Sequence, residues 1–266
     1  MKRFFPIAIL LLWLLAVAVA LYSTITPNQI DLAGILKAPG IDHWFGQDDL
    51  GRSVLYRLLA GAQTSLTVSV SVTLLCALIG IFIGAVAAWF GGLIEHVVVR
   101  VIDLFMAFPG ILLAIALAGI LGPGINNLVI ALSVVGWVGF ARLTRAQMLA
   151  LKQREHVQAA QALGTATPVI IFRHLLPLIA APLIIEATFT VASVIIAEAG
   201  LSFLGIGIQP PEASWGNMIK DGARYLLIAP HLVIAPGMAL ALVVLAINML
   251  GDQLRDHLDK KSHYLT

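Results

Sequence analysis

Long apolar runs separated by short polar segments dominate this chain, and six of the runs are long enough to cross a lipid bilayer. A bilayer core about 30 Å thick needs roughly 20 apolar residues in helical form. Backbone polar groups in lipid must pair within the segment, which favours helices over isolated strands. The predicted spans are residues 4–21, 66–90, 97–121, 128–149, 172–197 and 226–250. The pattern therefore predicts an all-α membrane protein with about six transmembrane helices.

Two of these runs also allow another interpretation. The first follows Lys2 and Arg3 and ends near Ala18-Val19-Ala20, as a cleaved secretory signal would. A signal does not explain the five further runs, so we interpret it as a span.

Residues 64–73, at the start of the second run, alternate polar and apolar positions like a strand. They continue directly into residues 74–90, so we predict that they form the polar-faced start of the second helix.

Small residues recur at every fourth position within the second predicted helix. They are Gly80, Gly84 and Ala88. Small side chains at this spacing let another helix approach closely. We therefore expect tight helix packing on this face.

Composition excludes several classes of function. The 266 residues are 60% hydrophobic and 11% charged, whereas soluble domains contain about 25% charged residues. The net charge of +2 does not indicate a nucleic-acid binder. The single cysteine, Cys76, lies in an apolar run and allows neither a disulfide framework nor a cysteine-based metal site. We interpret Cys76 as a small buried hydrophobic residue.

Basic residues predict the orientation. With the N-terminus in the cytoplasm, 11 Lys and Arg residues lie inside and 5 outside, as the positive-inside rule favours. The inner set is Lys2, Arg3, Arg100, Arg142, Arg145, Lys152, Arg154, Arg173, Arg255, Lys260 and Lys261; the outer set is Lys37, Arg52, Arg57, Lys220 and Arg224. Both termini are then cytoplasmic. The predicted regions are a first helix with an outer segment (1–64), a membrane domain (65–255) and a cytoplasmic tail (256–266).

The main cytoplasmic loop, residues 150–171, has a helix of its own. Residues 155–163 favour helix and Gly164 is a natural stop. Thr167 and Pro168 then suit the N-cap and first position of the next helix. Val157, Ala160 and Gly164 share one face that a partner could approach, although an ordinary amphipathic connector has the same pattern.

This loop resembles the cytoplasmic motif of permeases in bacterial binding-protein-dependent ABC importers. Ala159, Ala160, Gly164, Leu176 and Pro177 fall in register with that motif, while Gln158 replaces its Glu and His174 its Ile. The resemblance implies a coupling helix that sits in a groove of an ATPase subunit. The candidate coupling residues are Glu155, Gln158, Ala159, Ala160, Leu163, Gly164 and Pro177.

Four further segments, residues 45–58, 100–109, 197–217 and 251–259, are similar to dipeptide, oligopeptide and nickel permeases. The resemblance implies the MetI-like fold of type I ABC importer permeases, in the inner membrane of a bacterium. The implied partners are a homologous second permease in a heterodimer, two ABC ATPases and an extracytoplasmic substrate-binding protein. The loop at Gln209-Pro210-Pro211 favours short peptides as cargo; nickel or a metal chelate, such as a metallophore, is the alternative.

Three acidic residues in or near the predicted spans are candidates for the translocation path, because charges in lipid are costly and often functional. Glu186 lies within the fifth span and either lines the path or forms a structural hydrogen bond to a neighbouring helix. Glu198, near its outer end, is expected to contact the binding protein or cap a turn at Gly200. Asp103 lies three residues after Arg100 and can pair with it.

Missing motifs also constrain the function. The chain lacks a Gly-x-x-x-x-Gly-Lys-Ser/Thr phosphate loop, a His-x-x-x-His pair and a Gly-x-Ser-x-Gly element. We therefore expect no enzyme activity and no bound cofactor or metal in this chain, with ATP and Mg²⁺ used by partner ATPases. An ion-driven carrier or channel is the alternative class. Such a protein should show inverted repeats or a ring of charges, and the sequence shows neither.

Overall fold

The structure is a computed structural model that describes the backbone of residues 4–263 and the side chains of residues 4–258. The side chains of Lys2, Arg3, Lys260 and Lys261, which entered the prediction of orientation, lie outside the described residues. So do residues 264–266 of the predicted tail.

Helices form nearly all of the described chain. Their bounds are α1 Phe4–Tyr22, α2 Val54–Phe90, α3 Gly92–Met106, α4 Gly110–Leu121, α5 Ile125–Lys152, α6 Glu155–Ala162, α7 Thr167–Val169, α8 Leu176–Leu204, α9 Trp215–Ala223 and α10 His231–His263. A 3₁₀ turn covers Leu32–Gly34, and a π-helical segment, Ile170–Leu175, joins α7 to α8. Within residues 4–263 the β-type pairing is a single bridge between Gln47 and Ser53. The prediction of an all-α protein is confirmed.

Within residues 4–263, five helical stretches are long and apolar enough to cross a membrane. They are α1, α2, α5, the continuous stretch Thr167–Leu204 and residues His231–Leu258 of α10. The bent pair α3 and α4 makes a sixth span if its two halves are counted together. The prediction of about six spans is therefore confirmed.

The third predicted span differs from the structure. We expected one helix over residues 97–121, but α3 and α4 meet at an angle of 85°. The break precedes Pro109, which has no backbone N–H and disfavours helical backbone at Phe108. The 12 residues of α4 reach about 18 Å, so α4 alone is shorter than a bilayer core of about 30 Å.

Other helix ends also differ from their predicted positions. The second helix begins at Val54, and residues 64–73 are helical as predicted. The Ser53 hydroxyl caps this start by accepting a hydrogen bond from the Tyr56 N–H at 3.5 Å. Ala166, and not Thr167, is the N-cap of α7, so Pro168 falls one position later than predicted. The last helix starts at His231 because turns occupy residues 224–230.

Close contact between α2 and α5 organises the core. A Cβ added at Gly80 would lie 2.5 Å from the Trp137 carbonyl oxygen, and one at Gly84 would collide with the Ala141 carbonyl oxygen. The predicted role of these small residues in helix packing is confirmed.

Two further predictions concern α2. Cys76 is buried, as predicted. The division predicted between residues 64 and 65 falls inside α2.

A second hydrophobic cluster joins α1, α8, α9 and α10 to the N-terminal part of α2. The rings of Trp13 and Trp215 lie 6.5 Å apart, and the Trp215 indole N–H donates to the Leu58 carbonyl oxygen at 3.1 Å. These contacts hold the short helix α9 against the helices that surround it.

Candidate coupling and translocation site

The loop between α5 and α8 forms a short helix closed by a glycine. Gly164 has φ of +74°. Its N–H donates to the Gln161 carbonyl oxygen at 3.0 Å, and the Thr165 N–H donates to the Ala160 carbonyl oxygen at 3.0 Å. This pair of bonds is the Schellman motif, which satisfies the last carbonyl groups of a helix. The predicted glycine stop is confirmed.

One face of α6 packs against the chain itself. Val157 is fully buried and Ala160 is 9% exposed. Both belong to the main hydrophobic cluster, together with Ile170 and Leu175 of the π-helical segment. Of the two interpretations of this face, the structure favours an ordinary amphipathic connector over a surface open to a partner, because the protein's own core covers Val157 and Ala160.

The other face of α6 is open. Leu163 is 86% exposed, and Glu155, Gln158, Ala159 and Gly164 are exposed with it. An exposed leucine beside small and polar side chains offers an apolar contact to a second protein. The amide of Gln158 donates weakly to the Gln153 carbonyl oxygen at 3.4 Å.

A π-helical segment connects α6 to the next span. The Leu176 N–H donates to the Ile171 carbonyl oxygen, five residues back. Pro177 follows at the second position of α8 and, having no N–H, donates no helical bond back to the π-helical segment. Its ring is exposed, while Ile170 and Leu175 are buried. Packed side chains of the π-helical segment therefore connect α6 to α8.

Lys152 links the end of α5 to the end of α2, a contact that our sequence reasoning missed. Its ammonium donates to the Trp89 carbonyl oxygen at 2.6 Å and lies 5.3 Å from the Trp89 ring centroid. A cation near the last carbonyl groups of a helix is favourable. The position of Lys152 just before the loop was the only sequence signal for it.

A groove of about 670 Å³ runs between α4, α5 and α8. Apolar side chains make most of its wall, with the hydroxyls of Thr190 and Ser193 and the carboxylate of Glu186 among them. The lining residues are Gly110, Ile111, Ala114, Leu132, Val135, Gly136, Glu186, Phe189, Thr190, Ser193, Val194, Ile196, Ala197 and Gly200.

Glu186 is half-buried in this groove. A Cβ added at Gly139 of α5 would lie 2.6 Å from its Oε1 atom, so the carboxylate rests against the glycine backbone. Within residues 4–258 the structure shows neither an ion pair nor a side-chain hydrogen bond of Glu186. Of the two roles considered from sequence, the geometry favours a groove-facing carboxylate over a bond to a neighbouring helix.

Glu198 has a different environment from the one we predicted. Its side chain is fully buried and accepts hydrogen bonds from the hydroxyls of Ser202, at 2.9 Å, and Ser65, at 3.3 Å. It is therefore closed off from cargo and from a docked protein. It caps no turn at Gly200 either, because α8 continues to Leu204 and turns at Gly205, where φ is +84°.

Asp103 lies on α3, away from the groove. Its carboxylate is 3.9 Å from the Arg100 guanidinium, and both side chains are more than half exposed. The predicted pairing is confirmed, and its exposure makes it weak. A stronger tie on the same helix joins Glu95 to Arg145 of α5 at 2.9 Å.

A buried ionic cluster lies where the segment after α1 meets the start of α2, and we did not predict it from the sequence. The Arg52 Nε donates to the Asp48 carboxylate at 2.7 Å. Arg57, only 2% exposed, lies 3.6 Å from the same carboxylate and donates to Asn28 at 3.1 Å. These bonds fasten the segment before α2 onto that helix. The run of two acids and an arginine at residues 48–52 was the available signal.

The sequence of residues 80–264 matches the family described as binding-protein-dependent transport system inner membrane component. This chain belongs to that family. A Brucella suis protein whose name assigns it to a peptide transport system permease is 41% identical to it over 98% of this chain and 88% of its own length. The glutathione transport system permease protein GsiD of Escherichia coli is 40% identical over 88% of the permease and 77% of its own length.

The fold agrees with a solved ABC transporter. An inward-facing structure of the MetNI methionine ABC transporter superposes with a TM-score of 0.61 at 19% identity. The match covers 76% of the permease and 96% of that chain. The permease therefore has the MetI-like fold that the sequence resemblance implied. It is a subunit of an ABC importer, and separate ATPase subunits hydrolyse the ATP.

Proposed function

We propose that this permease forms half of a path that carries short peptides across the bacterial inner membrane. The groove between α4, α5 and α8 is the observation that carries the proposal, because it places a carboxylate and two hydroxyls in an otherwise apolar wall. The names of the relatives support peptides as cargo: one concerns a peptide transport system, and the other concerns glutathione, which is a tripeptide.

A second permease closes the groove. A carboxylate that faces lipid is strongly disfavoured, and no cation within residues 4–258 pairs with Glu186. A homologous subunit placed against α4, α5 and α8 would convert the open groove into a channel and keep Glu186 away from lipid. This partner permease would supply the second half of the wall of the translocation path.

The exposed face of α6 receives an ATPase subunit. Leu163 supplies its apolar contact, and Glu155, Gln158, Ala159 and Gly164 surround that leucine. Val157 and Ala160 anchor the inner face of α6 in the core, and the π-helical segment joins it to α8. Closure of the ATPases then moves the helices around the groove as packed bodies between two states.

The orientation follows from the position of α6. The ATPases work in the cytoplasm, so the loop after α5 lies there, and both termini are cytoplasmic if α3 and α4 together make one crossing. The segment between α1 and α2, and the region of α9, then face outward toward an extracytoplasmic binding protein. The ATPase subunits bind and use ATP and Mg²⁺, and we expect no cofactor on the permease itself.

Reconstitution tests this proposal. The permease, its partner permease, the ATPases and the binding protein are placed in liposomes, and ATP-dependent uptake of alanyl-alanine and of Ni²⁺ is measured. We expect uptake of the dipeptide without uptake of Ni²⁺. Leu163→Glu should abolish uptake while the permease still inserts, and Leu163→Met should keep it. Uptake of Ni²⁺ alone would contradict the peptide assignment, and normal uptake by Leu163→Glu would contradict the role of α6.

A further inference from the structure

We propose that Glu186, positioned by Gly139, makes the groove select cargo with a net positive charge. This inference rests on the proposed function, because it concerns the chemistry of the path that the peptide would follow. Among the groove-lining residues of the described chain, Glu186 is the ionisable one. Its carboxylate is therefore the charge that this chain contributes to the groove wall.

The wall around Glu186 strengthens this effect. Ile111, Leu132, Val135 and Phe189 are apolar neighbours in the same groove. The interaction between two charges grows as the effective dielectric falls from that of water toward that of a protein interior. An ammonium group that enters this groove gains more from the carboxylate than it would at an open surface, and a second carboxylate loses more.

Among residues 4–258, no cation forms an ion pair with Glu186. Neither α4 nor α8 contains a lysine or arginine. The basic residues of α5 are engaged elsewhere: Arg145 pairs with Glu95, Arg142 contacts the Met106 sulfur, and Lys152 caps α2. An unpaired carboxylate in a nearly apolar cavity is costly. Cargo that brings its own positive charge supplies the missing partner.

The space for this carboxylate comes from a glycine on the facing helix. A Cβ at position 139 would lie 2.6 Å from Oε1 and 3.7 Å from Cδ of Glu186, with no other neighbour within 4 Å. The obstructed atoms are the end of a flexible side chain and not backbone. Gly139→Ala should therefore displace the carboxylate and leave the helix packing intact, so Gly139 acts as a positioning residue.

Three dipeptides of different charge test the inference in the reconstituted complex. Lysyl-alanine, alanyl-alanine and glutamyl-alanine are supplied with saturating binding protein, and uptake by each variant is divided by wild-type uptake of the same peptide. This ratio removes the contribution of the binding protein. For Glu186→Gln we expect the ratio for lysyl-alanine to fall about three- to tenfold below that for glutamyl-alanine. Glu186→Asp keeps the charge and should keep most of the preference.

The role of Gly139 has its own matched variants. Gly139→Ala should weaken the preference for lysyl-alanine, and Gly119→Ala should not, because nothing lies within 4 Å of a Cβ at position 119. The double variant Glu186→Gln, Gly139→Ala should show the same charge preference as Glu186→Gln alone. Residues that act through one interaction are not additive. An additive loss would show that Gly139 acts independently of the carboxylate and would overturn its positioning role.

The possible failures are distinct. If the wild-type complex takes up none of the three peptides, peptide import is wrong and the charge preference falls with it. If the wild type imports them, but Glu186→Gln changes all three rates by the same factor or by none, peptide import stands and the selection by Glu186 is overturned.

Discussion

At the scale of single residues, the two intramembrane glutamates of α8 have opposite environments although only 12 positions separate them. Glu186 faces an open groove, whereas Glu198 is enclosed and bonded to serine hydroxyls. The sequence marks both as charges in an apolar helix and does not show which of them is enclosed. Their difference arises from the neighbours that α2 and α5 bring to each side of α8.

The enclosed glutamate should matter for stability. Glu198→Ala leaves the hydroxyls of Ser65 and Ser202 without their acceptor, so we expect the free energy of unfolding to fall by about 1–3 kcal/mol. Glu198→Gln keeps an acceptor oxygen and should lose less. Thermal unfolding of the purified protein in detergent measures this, with the exposed Glu212→Ala as control. Equal melting temperatures for wild type and Glu198→Ala would show that these bonds contribute nothing.

Asp221 of α9, outside the candidate spans, should give the stability a pH dependence. Burial raises its pKa, and Asp49 adds to the rise, while Arg224, Arg57 and Arg52 oppose it. Its stabilising contribution is then full below about pH 4, the unfolded pKa of Asp. It is lost as the pH rises through the higher folded pKa.

Asp221→Asn removes that titration. Relative to wild type, we therefore expect the melting temperature of Asp221→Asn to increase as the pH is raised from about 4 to about 7. Asp42→Asn, at an exposed position of the outer segment, controls for loss of a carboxylate. A difference that is constant across this pH range would contradict the assignment to Asp221.

At the scale of helices, two glycines have unrelated reasons for being glycine. Gly84 is required by space, because a Cβ would collide with the backbone of α5. Gly164 is required by conformation, because it ends α6 with φ of +74°, although a Cβ added there would meet nothing within 4 Å. The role of Gly84 can be tested by measuring stability, and that of Gly164 by measuring uptake together with ATP hydrolysis.

Gly84→Ala should separate α2 from α5 and destabilise the fold. Overpacking in a well-packed core costs about 1–3 kcal/mol, and here the obstructing atom is a backbone oxygen that cannot rotate away. We expect a lower melting temperature and a lower yield of folded protein. Gly119→Ala adds the same methyl group in open space and should behave like wild type. Wild-type stability of Gly84→Ala would mean that the two helices can move apart without loss.

Gly164→Val should insert and fold but lose uptake. A β-branched residue is strained at positive φ, so the end of α6 and the exposed Leu163 would shift. Asn tolerates this conformation, so Gly164→Asn should retain more uptake than Gly164→Val. Uptake and ATP hydrolysis by the reconstituted complex are measured together. Hydrolysis without uptake is the expected result for Gly164→Val, and full uptake would contradict a coupling role.

At the scale of the whole molecule, the proposed orientation requires the bent pair α3 and α4 to count as one crossing. Only then do α5 and α6 meet on the cytoplasmic side with both termini. Alkaline phosphatase fused after residue 44 should then be active, whereas green fluorescent protein fused at the C-terminus should fluoresce. A fluorescent C-terminal fusion combined with an inactive phosphatase fusion would indicate a different number of crossings.

The sequence by itself determined the class of the protein, most of its helices and the glycine that ends α6. Apolar runs of about 20 residues can be satisfied in lipid only as helices, and Gly164 ends α6 through a local bond pattern. The bend at residues 107–109 also had a sequence signal, Pro109. We did not predict it, because the apolar run continues through the proline.

Tertiary structure alone decided which side chains face a partner, a groove or the core. The role of the α6 face that carries Val157 and Ala160 stayed open, because periodicity shows which residues share a face and not what covers it. The groove around Glu186 requires three helices and a glycine on one of them, Gly139, that is 47 positions away. The enclosure of Glu198 likewise depends on Ser65, more than 100 positions distant. Contacts between such distant residues exist only once the helices have packed.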